Sequence, residues 1–156
     1  MTRADTPKTS DANLSIVVLA DAALRLRCQT ILAEQRIASR GASLTGAHRA
    51  LRRHRPSVLL LDAVRSPRRA LGILPALKRL SPGTGVVLLG RRRASTALLL
   101  EAVRRGAWGH LAERDLSRDL PKAVRMVAAR QSWLPRRLSA AIVAELTKRG
   151  HAEERN

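Results

Sequence analysis

The chain has 156 residues, with 30 Lys and Arg against 12 Asp and Glu and a formal net charge of +18, a length that suits one compact domain with short tails. Hydrophobic residues make up 45% of it, enough to fill a core and to exclude disorder for most of the chain. Two Trp are the only aromatics and Cys28 is the only cysteine, which excludes a stacking platform for single-stranded bases, an internal disulfide and a thiolate zinc cluster.

Residues 1–13 are polar, carry Pro7 and show neither helical nor strand period, the pattern of a disordered tail. They lack the apolar core of a signal peptide, and no later apolar run approaches a membrane span. The expected location is cytoplasmic, with no membrane contact. Residues 15–20 form a continuous apolar run ending at Asp21, as a strand buried on both faces should. In 24–35, Leu24, Cys28, Ile31 and Leu32 recur at helical spacing and predict a helix with Cys28 on its core side.

The alternation repeats. Residues 37–43 predict a weak second strand marked by Gly41 and Gly46, and 47–54 a short basic helix closed by Pro56. His48 and His54 on that helix are not at metal-pair spacing and read as surface residues. Residues 57–62 form a second strongly apolar strand ending at Asp62, and 67–80 a helix interrupted by Gly72 and Pro75. After the Ser81-Pro82-Gly83 turn comes the strand 86–89, then Gly90, the basic loop Arg91-Arg92-Arg93 and a helix over 94–105 stopped by Gly106.

Residues 108–112 are a short fifth strand and 116–130 a clearly periodic helix, in which Pro121 is tolerable only in the first turn. Trp108 and Trp133 flank it as packing residues. Pro135 suits the first position of a final helix that buries Leu138, Ala141, Ile142 and Leu146 and ends at Lys148, Arg149 and Gly150. Five strand and helix pairs imply a parallel sheet covered on both faces, with its site at the carboxyl ends of the strands.

Asp21 and Asp62 stand at those ends. Two such carboxylates could hold a hard cation such as Mg²⁺, or one could accept a phosphoryl group; alternatively each caps the helix after its strand. The charge of +18 suits displacement of counterions from nucleic-acid phosphates, but also suits a solvated arginine-rich surface. No Gly-rich phosphate loop, zinc spacing or Ser/His/Asp arrangement is present, so an enzyme is not expected.

Four segments together resemble a known family: VVLAD with Arg27 downstream, RPSVLLLD ending at Asp62, VVLLG, and EAVRRGAWGHL followed by a helix and SWLP. In this order and spacing they are similar to the receiver domains of bacterial two-component response regulators, in particular the NarL/FixJ class. The resemblance runs from about Leu14 to Leu146. It implies a flavodoxin-like, CheY-like α/β fold with five parallel strands in the order 2-1-3-4-5, helices on both faces and a C-terminal linker helix. It divides the chain into a tail (1–13), a receiver-like domain (14–130) and a linker with C-terminal helix (131–156), the last a truncated or vestigial output region in which Leu146-Thr147-Lys148-Arg149 looks like the opening of a DNA-binding domain.

By the resemblance, Asp62 corresponds to the phosphate-accepting aspartate and Asp21 to one of two metal-binding acids. The rest of the pocket departs from the family: Ala22 stands for the second acid, Gly90 for the switch hydroxyl, His110 for the switch aromatic and Glu113 for the lysine. Weak Mg²⁺ binding at Asp21 and Asp62 is the most that remains, and no cofactor is expected. Arg114 beside Glu113 could compensate by turning inward, while Arg65, Arg91, Arg92 and Arg93 could bind an anion; alternatively Arg65 pairs with Asp62.

These readings point to an atypical receiver that acts in bacterial signal transduction or transcriptional control through an unidentified protein partner, largely without phosphorylation. The alternatives are a phosphorelay receiver using Asp62 and a basic module that binds nucleic acid without regard to sequence. A homodimer is expected, with Leu134, Leu138 and Ile142 as added apolar surface. Any DNA binding should be nonspecific, since no complete helix-turn-helix follows Thr147.

Overall fold

The computed structural model of the protein describes residues 14–154, with side chains as far as residue 150. The expected tail, residues 1–13, lies outside the described residues. Five strands, β1 (Ile16–Leu19), β2 (Ser39–Ala42), β3 (Val58–Asp62), β4 (Gly85–Gly90) and β5 (Ala107–Ala112), form one parallel sheet in the order β2-β1-β3-β4-β5. The strand order is the one expected. Successive residues of a strand face opposite sides, so the sheet supports two cores. Ile16, Val18, Leu60, Val87 and Leu111 belong to one, and Val17, Leu19, Leu61, Val86 and Leu88 to the other.

Helices α1 (Ala22–Glu34) and α5 (Leu116–Ala128) cover the first core; α2 (Ala47–His54), α3 (Pro67–Leu80) and α4 (Thr96–Arg104) lie on the other face. Side-chain caps start three of them: Asp21 on α1, Ser66 on α3 and Ser95 on α4. Each accepts a hydrogen bond from an amide that the first helical turn leaves without a partner. At the opposite end of the sheet, buried Thr84 donates through Oγ1 to the Pro56 carbonyl at 2.6 Å and lies 2.6 Å from Ser81 Oγ. That pairing lets two hydroxyls stay inside an otherwise apolar shell.

Trp108 is an extra residue in β5, because Val86 pairs with Ala107 and Val87 with Gly109. The connector after α5 then runs along the outer side of β5. Trp133 N donates to the Trp108 carbonyl and His110 N donates to the Trp133 carbonyl. Gly109 permits this approach, since a Cβ there would lie 3.2 Å from both Trp133 Cβ and Trp133 O. Lys122 Nζ sits 6.0 Å from the centre of the Trp133 ring.

The last helix, α6 (Arg136–Glu154), packs on α4, where Leu138 is buried beside Leu99 and Ala94, with Leu134 and Ile142 at the margin. Arg137 donates to the Ala94 carbonyl at 2.8 Å, and Glu145 pairs with Arg104. Three expectations change. Pro121 lies in the second turn of α5 and is buried there. Gly150 does not end α6, and a Cβ placed on it would meet nothing beyond its own stretch of helix within 4 Å among the described residues. Leu146 is exposed, because the nine residues of α4 give out before the nineteen of α6 do. At 1.5 Å per residue the difference is roughly 15 Å of helix.

Candidate functional site

At the carboxyl ends of β1 and β3 a cleft of about 220 Å³ is lined by Asp21, Asp62, Ser43, Arg65, Ser66 and Arg69 among others. Asp21 follows β1 after Ala20. Its Oδ1 accepts from Leu24 N at 2.9 Å, capping α1, and its Oδ2 lies 3.4 Å from Arg65 Nε. Asp62 ends β3; its Oδ1 accepts from Val64 N at 2.8 Å and its Oδ2 from Asp21 N at 3.4 Å. Each of the four carboxylate oxygens thus has one of the protein's own donors within 3.4 Å, while a carboxylate oxygen can accept from two.

Arg65 thus pairs with Asp21 and not with Asp62, whose oxygens are turned to two backbone amides. The Arg65 side chain is 81% exposed, so screening holds the pair to less than about 1 kcal/mol. The capping alternative applies to Asp21 alone, since Ser66 Oγ accepts from Arg69 N at 3.2 Å and caps α3.

Ala22 is the exposed first residue of α1 and brings no oxygen to the cleft. Among the described residues no three His, Cys, Asp or Glu side chains converge. Mg²⁺ keeps several of its waters and is held through one or two carboxylates, so Asp21 and Asp62 are the residues here that could hold it, with Ala22 bringing no third acid. Glu113, which the resemblance matches to a lysine, presents its backbone to this region. The carbonyl of Glu113 accepts from Arg27 Nη2 at 3.0 Å, while Arg114 is exposed and lines none of the cleft. The inward turn of Arg114 is therefore not adopted.

Arg91, Arg92 and Arg93 rim a different cleft, of about 260 Å³, whose walls include Leu71, Leu88 and Leu98. They are not brought together with Arg65. His110 lines this cleft and also a third, of about 290 Å³, beside Trp133. Its imidazole reaches back over Gly90, and burial holds its pKa below the ordinary histidine value. Close to the site but inside the core, Cys28 has its thiol pushed up to about 12 by burial, with Arg27 opposing the shift.

Two basic residues at the site, Arg69 and Arg27, had no assigned role in the sequence reading. Arg69 is the third residue of α3, after Ser66 and Pro67. Helical side chains lean toward the N-terminus, which here is the end of the helix that meets the strand ends. The same lean carries Arg27 of α1 to the Glu113 carbonyl.

No protein-family model matches the chain, and no curated protein matches it. Solved structures do. The isolated REC domain of RcsB from Salmonella enterica serovar Typhimurium superposes with a TM-score of 0.70 at 18% identity, over 83% of this chain and 98% of that one. A response regulator from Thermotoga maritima gives 0.67 at 17% identity, over 75% and 98%. A protein from Burkholderia pseudomallei K96243 described as pilus assembly-related gives 0.63 at 21% identity, over 78% and 94%. At these identities the likeness is one of fold, and together with the strand order it shows that the chain has the fold of a response-regulator receiver domain.

Proposed function

We propose that the protein is an atypical receiver of bacterial two-component signalling, cytoplasmic and non-enzymatic, that passes its signal through protein contact and largely without phosphorylation. One observation supports this reading: Asp21, the acid beside Asp62, caps α1 and pairs with Arg65, and among the described residues no third acid joins the two. Phosphoryl transfer to a carboxylate needs positive charge around the transferring group. Here Ala22 removes a ligand, and Glu113 puts a negative charge where the family has a positive one. The test is incubation with a small-molecule phosphodonor and Mg²⁺, followed by intact-mass measurement. No mass increase is expected; an increase that needs Mg²⁺ and disappears in Asp62→Asn would overturn the proposal.

Arg65 and Arg69 in the acid cleft favour a second reading, in which Asp62 accepts phosphate and the two guanidinium groups replace the lysine and metal. The same experiment separates the two, because that reaction would proceed without Mg²⁺ and fail in Arg65→Ser/Arg69→Ser.

The protein contact includes a second copy of the chain. Leu134, Leu138 and Ile142 are spent on α4, which leaves Val143 and Leu146, each 62% exposed, as the large apolar side chains open on α6. Two-fold pairing of α6 would cover both in each copy.

A further inference from the structure

The basic charge is not spread evenly. Residues 35–100 carry fourteen Lys and Arg with Asp62 as their only acid, although the whole chain has 12 acids. Much of this segment's charge stands on α2 and α3, which pack side by side on one face of the sheet. Arg49, Arg52 and Arg53 of α2 and Arg68 and Arg79 of α3 are exposed, and among the described residues none of the five is ion-paired. Ala47, Leu51, Ala70, Leu74 and Leu77 turn inward to the core, so the exposed charged side chains of both helices are arginines. Desolvation first, and then the charges of Arg40 and Arg53, hold His54 toward its neutral form.

We infer that the α2–α3 face binds the phosphate backbone of duplex nucleic acid, without reading its sequence. Three observations select this partner. The exposed large hydrophobic side chains, Leu26, Val143 and Leu146, stand on α1 and α6, so the face lacks both the apolar anchors that dominate protein interfaces and an insert for a membrane. The charge is guanidinium, which grips phosphate oxygens in pairs and is weakly hydrated. Both Trp lie on or beside β5 and the chain has no Phe or Tyr, so the only rings on α2 and α3 are the imidazoles of His48 and His54, without the indole or phenyl platform on which a run of unpaired bases stacks, and a duplex suits the face better than a single strand. The inference is independent of whether Asp62 is phosphorylated.

The test is fluorescence anisotropy of the full chain with a labelled duplex of arbitrary sequence, between about 50 and 200 mM salt. Binding should weaken steeply with salt and be the same for a scrambled duplex. Arg49→Ser/Arg52→Ser/Arg53→Ser should weaken it at least about tenfold at low salt and lower the log–log salt slope by about 2–3. Arg114→Ser/Arg136→Ser/Arg149→Ser, an equal charge loss away from this face, should do much less. Thermal unfolding of each variant, together with Arg→Lys at the same three α2 positions, which should retain the slope, keeps misfolding from imitating the result. Absence of duplex binding, equal losses in both triple variants, discrimination between duplexes, or stronger binding of the same face to phosphatidylglycerol vesicles or polyglutamate would overturn the inference.

Discussion

The imidazole of His110 occupies the space above Gly90: a Cβ on Gly90 would lie 2.5 Å from His110 Nε2 and 3.0 Å from its Cε1. Gly90 and His110, at the ends of neighbouring strands, thus fit together as a glycine and the ring that fills the space above it. Gly90→Ser, which adds a Cβ and a hydroxyl there, forces His110 to move. It should cost about 1–3 kcal/mol in urea unfolding, and Gly90→Ser/His110→Ala should lose less than the two single changes added together. Additive losses would show that the contact is not strained by the substitution.

His110 also sets a pH response. Burial lowers its pKa in the folded protein, so the folded state prefers the neutral ring, whereas the unfolded chain takes up a proton near about pH 6.5. The unfolded state then binds more protons, and stability falls as pH drops through that value and on toward the folded pKa. His54 is shifted the same way, so the difference between wild type and His110→Phe isolates the buried ring. Chemical denaturation from pH 8 to pH 5 should show a shallower loss in the variant; parallel curves would refute the assignment.

Cys28 should be chemically silent in the folded state. A thiol pushed from 9.0 to about 12 carries roughly a thousandfold less thiolate at pH 8, and the side chain is fully buried. Ellman's reagent should therefore react only at the rate of local opening, and at the ordinary rate in denaturant. Rapid stoichiometric reaction of native protein would contradict the placement of this thiol.

Association through α6 is tested by Val143→Ser/Leu146→Ser. Sedimentation of the wild-type chain should show a concentration-dependent dimer, and the double variant a folded monomer whose unfolding midpoint no longer rises with protein concentration, because neither side chain packs on α4. A wild-type mass that stays monomeric at all concentrations would remove the proposed dimer.

The parts of the fold legible in the sequence were those buried on both sides. The runs Val58–Asp62 and Gly85–Gly90 are almost wholly inside, and such strands announce themselves as unbroken apolar stretches. Strand β2 shrank to Ser39–Ala42 because it is an edge with half-exposed residues and a weak pattern. The end of α6 was missed for a different reason. A glycine costs an exposed helix only about 1 kcal/mol, which the residues around Gly150 tolerate. At the site, the sequence placed Asp21 and Asp62 near one another, but not which oxygen meets which donor. The Arg65–Asp21 pairing depends on the loop after β3 turning Val64 N toward Asp62, a local backbone detail that residue types do not specify.

The connector that runs beside β5 gives the sheet two unlike borders. On one, Trp133 already takes the Trp108 carbonyl and the His110 amide, leaving little for a foreign strand to join. On the other, β2 has four residues and exposes Arg40 within them. An antiparallel copy pairing there would bring like charges across from one another, which is unfavourable. Fibril growth by strand addition is thus blocked by the chain itself at one border and by electrostatics at the other. Concentrated salt, which shortens the reach of charge to a few ångströms, relaxes only the second block, so any slow aggregation at high ionic strength should begin at β2.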